Sequence, residues 1–229
     1  MITMERALVV VPAHNEQELL GDCLSALERA AGAVPFPTEL VVVLDACADA
    51  TVSVVGSRAR TVVVNRCNVG AARAAGFAAA GRHCGAETWF ATTDADTVVG
   101  PDWLQAQLSR ARSGAQMVLG TVTVESWRNH SAQAREQYLR RYRSADGHRH
   151  VHGANLGIRA DSYWSVGGFA ALASGEDVDL VERVSAAHGH VSWAGELPVQ
   201  TSGRRVGRAP EGFAAHLRAL DAPPQELVS

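Results

Sequence analysis

The sequence contains no lysine; all 21 basic residues are arginine. A Schiff-base lysine and the lysine of a phosphate-binding P-loop are therefore excluded. Cysteine is scarce and scattered: Cys23, Cys47, Cys67 and Cys84 include no Cys-x-x-Cys pair. That spacing supports neither a zinc site nor a disulfide framework, and reduced thiols in a cytoplasm are the simpler expectation. The formal net charge of −3 supplies no broad basic field, which argues against a general nucleic-acid binder. No apolar run approaches the roughly 20 residues of a bilayer-spanning helix. Residues 1–6 carry Glu5 and lead straight into a strand-like run, so a signal peptide is not expected.

What is present is ordinary globular usage, with 47% hydrophobic and 20% charged residues over 229 positions. That length suits one α/β domain with a sizeable core. Residues 7–11 form a β-branched run closed by Pro12, followed by apolar positions Leu19, Leu20, Cys23, Leu24 and Leu27 on one helical face. Further strands are expected over 40–44, 61–64, 88–92 and 117–124, and helices over 71–80, 103–112 and 178–187. Such alternation implies a mostly parallel sheet with helices on both faces, and ligands bind beyond the carboxyl ends of its strands. Asp45 and Asp94 both fall at such ends. Residues 126–149, with six arginines against Glu136 and Asp146, read as an exposed helix and loop; from 209 onward the chain reads as a weakly amphipathic tail.

Asp94-Ala95-Asp96 is the sharpest local signal. In extended backbone, residues i and i+2 point the same way, so both carboxylates can face one small volume. A hard divalent cation with bound phosphates would neutralise them; an Asx-turn or helix cap is the structural alternative. Gly175-Glu176-Asp177 offers a carboxylate on a glycine-hinged turn, fit either to cap the next helix or to act as a general base. Asp45 and Asp49 can accept from a base N–H or ribose hydroxyl, or stabilise a turn. Residues 68–76 lack Gly-x-Gly-x-x-Gly spacing; their small side chains read as a helix packed closely on the sheet, with Arg73 able to reach a ligand or Asp45.

Taken together and in order, these motifs resemble glycosyltransferase family 2, of the GT-A fold. The resemblance starts at Val9-Val10-Val11-Pro12-Ala13-His14-Asn15-Glu16 and continues through Asp45 to Thr51, Asn68 to Gly76 and Asp94-Ala95-Asp96. It ends with His152-Gly153-Ala154-Asn155, Gly167-Gly168-Phe169 and Glu176-Asp177. It implies a single Rossmann-like GT-A domain over residues 1–208, with a nucleotide-sugar half to about residue 100, an acceptor half beyond it, and a tail over 209–229. It also implies a metal-dependent transfer of one sugar from a nucleoside-diphosphate sugar to a hydroxyl acceptor, with inversion. Pro12, His14 and Glu16 would line the nucleoside site, Asp45 would bond the base, and Arg73 would buttress it. Asp94 would touch ribose or donor sugar, Asp96 would hold Mn2+ or Mg2+, and Asp177, beside Glu176, would be the base. Asn155 falls in the acceptor-side segment and is a candidate donor contact.

Leu44, Cys47 and Ala74 depart from the residues usual in that family, and no Gln-x-x-Arg-Trp follows Asp177, which disfavours the processive synthase branch. Three expectations come from the residues alone. Arg204 and Arg205, flanked by glycines, would close over the diphosphate as a lid or form a solvated basic loop. His152, last of three alternating histidines, would touch the metal or donor phosphate, or sit in a hydrogen-bonded loop. The arginines of 128–149 would select an anionic acceptor, lean on an anionic membrane surface, or simply keep a helix soluble. Transfer with retention, a nucleotide-sugar-binding protein without turnover, and a nucleotidyltransferase are the competing readings. The last would want a glycine-rich basic loop after the first strand, where this chain has Pro12-Ala13-His14-Asn15-Glu16.

Overall fold

The computed structural model describes residues 3–79, 81, 84–172, 174–207 and 212–221. Strands β1 (Arg6–Ala13), β2 (Thr38–Asp45), β3 (Arg60–Val64) and β4 (Thr88–Thr92) alternate with helices α1 (Leu20–Gly32), α2 (Thr51–Val55) and α3 (Val69–Ala79). All pairings among these four strands are parallel. The short β5 (Thr97–Val98), α4 (Trp103–Arg112), β6 (Met117–Val124) and α5 (Ala132–Arg141) follow. The chain continues through β7 (Leu156–Arg159), α6 (Ala160–Ser165), α7 (Glu176–Ala186), β8 (Val191–Thr201) and α8 (Phe213–Leu220). One sheet results, ordered β3-β2-β1-β4-β7-β6-β8-β5. Here β7 runs antiparallel to β4 and β6, β8 runs parallel to β6, and β5 runs antiparallel to β8.

The central strands are apolar on both faces because helices cover both. Val9 and Val11 enter one core with Leu24 and Leu27 of α1 and Trp103 and Leu108 of α4. Leu8 and Val10 enter the other with Phe77 of α3, Tyr163 of α6 and Leu180 of α7. Each such side chain, removed from water, contributes about 1.5–3 kcal/mol before the entropy of ordering is charged against it. The small residues of α3 have a visible use: a Cβ on Gly76 would lie 2.4 Å from Val10 and 2.9 Å from Val43. The helix can sit that low only on glycine, and its N-terminal end is thereby held at the carboxyl edge of β1 and β2.

The second half departs more from the sequence expectation. β8 was hidden by Gly195, Glu196 and Pro198, and the structure shows why they are tolerated. The register with β6 jumps from Gly120–Ala194 to Thr121–Pro198, so residues 195–197 loop out of the ladder. Residues 213–220, read as part of a tail, form α8, which buries Leu217 and Leu220 against Ala134 and Tyr138 of α5. The rest of that expected tail, 209–211 and 222–229, lies outside the described residues. Among the described residues no helix is long and apolar enough to cross a membrane.

Candidate active site

The carboxyl ends of β1, β2 and β4 open into a cavity of about 730 Å³. Its walls include Pro12, His14, Glu16, Asp45, Arg73, Asp94, Asp96, His152, Gly153, Glu176, Asp177 and Arg204. Eleven of the candidate positions named from the sequence, all but Asp49, Asn155 and Arg205, therefore reach one volume.

The first wall is made of turns that hold one another. Thr51 Oγ1 accepts from Glu16 N at 2.8 Å, Asn15 Oδ1 from Ala48 N at 2.8 Å, and Gln17 Oε1 from Ala50 N at 2.9 Å. His14 Nδ1 lies 2.6 Å from the Asp45 carbonyl oxygen. The Asp45 carboxylate accepts from three backbone N–H groups, Arg66 at 2.6 Å and Cys67 and Asn68 at 2.9 Å. It shapes the loop that leads into α3. Asn15, Ala46 and Cys67 follow the ends of β1, β2 and β3 and all have positive φ (54°, 52° and 46°). Strain of that kind, on the order of 1–3 kcal/mol per residue, is sustained only where neighbours over-determine the backbone.

Asp94 and Asp96 face the cavity from a tight turn rather than from the extended backbone expected, since Thr97 N donates to Asp94 O at 3.1 Å. Each carboxylate has its own arginine. Arg73 Nη2 bonds Asp94 at 2.6 Å, and Arg204 Nη2 lies 3.0 Å from Asp96. Burial pushes the Asp96 carboxyl up to about 7, against the pull of Arg204 and with Asp94 and Glu16 adding to the rise.

Arg73 is the centre of the site, and its partners correct the sequence expectation. It does not meet Asp45. Its Nη1 pairs with Glu176, at the first position of α7, while Nη2 holds Asp94. The Arg73 side chain is 3% exposed and that of Glu176 6%. Burial raises the Glu176 proton affinity and Arg73 opposes the rise. Gly153 must be glycine here, because a Cβ would lie 2.4 Å from the Arg73 guanidinium. The N–H of Gly153 donates to Asp177 Oδ2 at 2.7 Å, fixing that carboxylate toward the cavity. Asp177 Oδ1 accepts from Val178 N at 2.8 Å, so Asp177 satisfies one free N–H in the first turn of α7 and faces the cavity at once.

Two expectations are corrected and a third, His152, shows the hydrogen bond of its second alternative. Asn155 is fully buried and faces away from the cavity: Nδ2 donates to Thr121 O and Leu197 O, and Oδ1 accepts from Trp103 Nε1. It ties the sheet together rather than touching a ligand. Arg205 turns outward to Asp221 and Asn129 O, leaving Arg204 alone at the cavity. His152 reaches the cavity, but its Nε2 lies 2.9 Å from Tyr142 Oη; among the described residues no group of three or more His, Cys, Asp or Glu side chains is arranged to hold a metal ion.

The far wall was largely missed. Tyr138, Arg141, Tyr142, Arg149, His150, Phe213 and His216 line it. Tyr138 stacks on Tyr142 at 4.9 Å, and Tyr142 on His150 at 4.0 Å. The signal was available in the i, i+4 spacing of the tyrosines, which brings Tyr142, the residue capping α5, beside Tyr138 on its last turn. Burial, and then its histidine neighbours, lowers His152 from 6.5 to about 3, and burial likewise lowers His148, His150 and His216. A base depressed in the folded state gives stability that is present above its unfolded value and lost as pH falls toward the folded one. For His152 the window runs from about 6.5 down to about 3. Unfolding free energy is expected to fall by about 2–3 kcal/mol between pH 7.5 and 4.5 on account of His152. His152→Gln removes that share. Urea unfolding at the two pH values checks it, and equal falls in both proteins would refute the assignment.

The profile of the family described as Glycosyl transferase family 2 matches residues 8–167. The chain belongs to glycosyltransferase family 2. The matched stretch takes in the Asp94–Asp96 turn, Arg73 and Gly153, and ends before the Glu176-Asp177 pair. Among solved structures, S. aureus TarS 1-349 in complex with UDP-GlcNAc is similar, with a TM-score of 0.67 and 15% identity over 92% of this chain and 62% of that one. The same protein in complex with UDP gives 0.65 and 17% over 95% and 65%. At such identity the likeness speaks for the fold alone, which is the GT-A fold implied by the motifs. This glycosyltransferase family 2 chain spans less than two thirds of the length of those TarS chains. A comparison with curated proteins gives no match.

Proposed function

We propose that this chain is a glycosyltransferase moving a single sugar from a nucleoside-diphosphate sugar to a hydroxyl acceptor, with inversion. The observation that carries the reading is Arg73. One buried guanidinium ties Asp94, on the donor side, to Glu176, whose neighbour Asp177 points into the same cavity. A protein that only bound nucleotide sugars would have no use for a carboxylate oriented opposite the donor turn.

Pro12 and His14 line the nucleoside end. Asp177 takes the proton of the acceptor hydroxyl as its oxygen attacks the anomeric carbon; the carbon–oxygen bond to the diphosphate breaks, and the electron pair leaves with the phosphate. One displacement from the opposite face gives inversion. The stacked rings of Tyr138, Tyr142 and His150 offer the acceptor an aromatic wall, with Arg141 and Arg149 beside it. Glu16 and Asp96, both nearly buried, share one cation in Arg204, so the place is built for positive charge and its donors are hard oxygens suited to Mg2+ or Mn2+. Asp96, with phosphate oxygens of the donor, would hold such an ion, whose charge offsets that developing on the departing diphosphate. A coordination shell completed by substrate phosphates is consistent with the absence of a three-ligand cluster among the described residues.

TarS was crystallised with UDP-GlcNAc and with UDP, which makes uridine nucleotides the first donors to try. In a thermal-shift panel of nucleotide sugars with and without Mn2+, at least one nucleoside-diphosphate sugar is expected to stabilise the protein only when metal is present. Asp96→Asn should abolish that shift while leaving the metal-free melting curve folded and cooperative. Equal, metal-independent stabilisation by every nucleotide would overturn the reading.

A further inference from the structure

Glu16 follows β1 and Asp96 precedes β5, and the side chains are only 5% and 10% exposed. Two carboxylates so far out of water require a cation between them. Arg204 supplies it. Its Nη1 bonds both oxygens of Glu16, at 2.8 and 2.9 Å, and its Nη2 reaches Asp96 at 3.0 Å. The same guanidinium forms part of the partition between the large cavity and a second one of about 410 Å³, since Glu16, Ser202 and Arg204 line both.

We propose that Arg204 is an exchangeable counter-ion, occupying the cation position while no donor is bound and moving from Asp96 to the donor's diphosphate when a divalent ion takes that carboxylate. The inference rests on the donor and metal reading above. A divalent ion on the Asp96 oxygens would stand a few ångströms from the guanidinium, and its repulsion would weaken the hold of Asp96 on Arg204. An incoming anion with two negative groups is the natural next partner for the displaced arginine, which grips phosphate bidentately. Glu16 keeps hold of the other edge of the fork and returns the guanidinium to Asp96 after the products leave. This makes Glu16 a positioning residue for Arg204.

The motion is that of a side chain, not of a lid. Gly203 O accepts from the His130 ring at 2.8 Å, and a Cβ on Gly203 would lie 2.0 Å from Ser126 O. Ser202 N donates to Asp96 O at 3.2 Å, and Arg205 is tied to Asp221 and Asn129 O. The backbone on both sides of Arg204 is therefore pinned, while its side chain borders open volume in two directions.

Mn2+ binding to the whole chain, followed by the loss of the free-ion electron paramagnetic resonance signal, tests this without any turnover. Without nucleotide, Arg204→Gln is expected to bind Mn2+ about ten-fold more tightly than the parent, because the competing charge is gone. With UDP present the difference should shrink or reverse, the variant having lost its phosphate contact. If the single variant does not fold, Glu16→Gln/Arg204→Gln is compared with Glu16→Gln, where the same ten-fold gain is expected. Unchanged or weaker nucleotide-free binding after removal of Arg204 overturns the exchange. Asp96→Asn separates this from failure of the site itself: if Mn2+ still binds, the ion lies elsewhere and both ideas fall. If binding is lost there yet is indifferent to Arg204, only the exchange falls. If UDP does not bind the parent protein with Mn2+, the donor reading falls and the transfer of Arg204 to a diphosphate falls with it.

Discussion

Asp177→Asn is expected to lower the rate of sugar transfer by about 10³-fold while leaving donor binding nearly unchanged. The amide keeps the volume of the carboxylate and can still accept from Gly153 N through its oxygen, giving up only the local bond from Val178 N. What disappears is the acceptor of a proton. Without it the attacking hydroxyl must develop positive charge as the bond to the anomeric carbon forms. The proposed donor contacts lie across the cavity, on the turns after β1, β2 and β4, and do not depend on Asp177. Transfer rates, or slow donor hydrolysis in which water replaces the acceptor, set beside calorimetric titration of the donor, give the two readouts. A variant with near-parental turnover would remove Asp177 from the chemistry. A parallel loss of donor affinity would instead mark it as part of the donor site.

The same geometry shows how far a sequence can be read here. The alternation of β1, β2, β3 and β4 with α1 and α3 was legible because each strand is a short β-branched run and each helix repeats its apolar face. The sequence also placed Asp45 and Asp94 correctly relative to the sheet, at strand ends, and Glu176-Asp177 at the start of a helix. It did not reveal which arginine serves which acid. Arg73 and Glu176 are 103 residues apart, and Arg204 and Glu16 are 188 apart, and no local periodicity reports contacts at such separations. Asn155 misled for a related reason: it lies next to Gly153, whose backbone does face the cavity, but the start of β7 turns its side chain inward to Trp103 and Leu197. β8 was obscured by a bulge whose glycine and proline resemble a turn. α8 was hidden because its apolar face has meaning only against Tyr138 of α5.

Arg73→Met should have the largest effect on stability of any single change at the site, about 3–5 kcal/mol, because it strips the partner from a buried carboxylate while keeping much of the side-chain volume. Glu176 is left beside Asp177 and Asp94 with burial unopposed, and each of these pushes its proton affinity up. The sign of the pH dependence follows. A carboxyl raised in the folded state contributes stability that is present below its unfolded value and lost as pH rises through the folded one. The variant is therefore expected to be closest to the parent near pH 5, where Glu176 takes up a proton, and furthest below it near pH 8. Adding Glu176→Gln should recover part of the loss at pH 8 and little at pH 5, since an amide is neutral at both. Urea unfolding of the parent, the single and the double variant at the two pH values measures every term. A loss that is the same at both, or that Glu176→Gln deepens at pH 8, would mean that Arg73 stabilises through its packing on Phe169, 5.6 Å from its guanidinium carbon, rather than through charge.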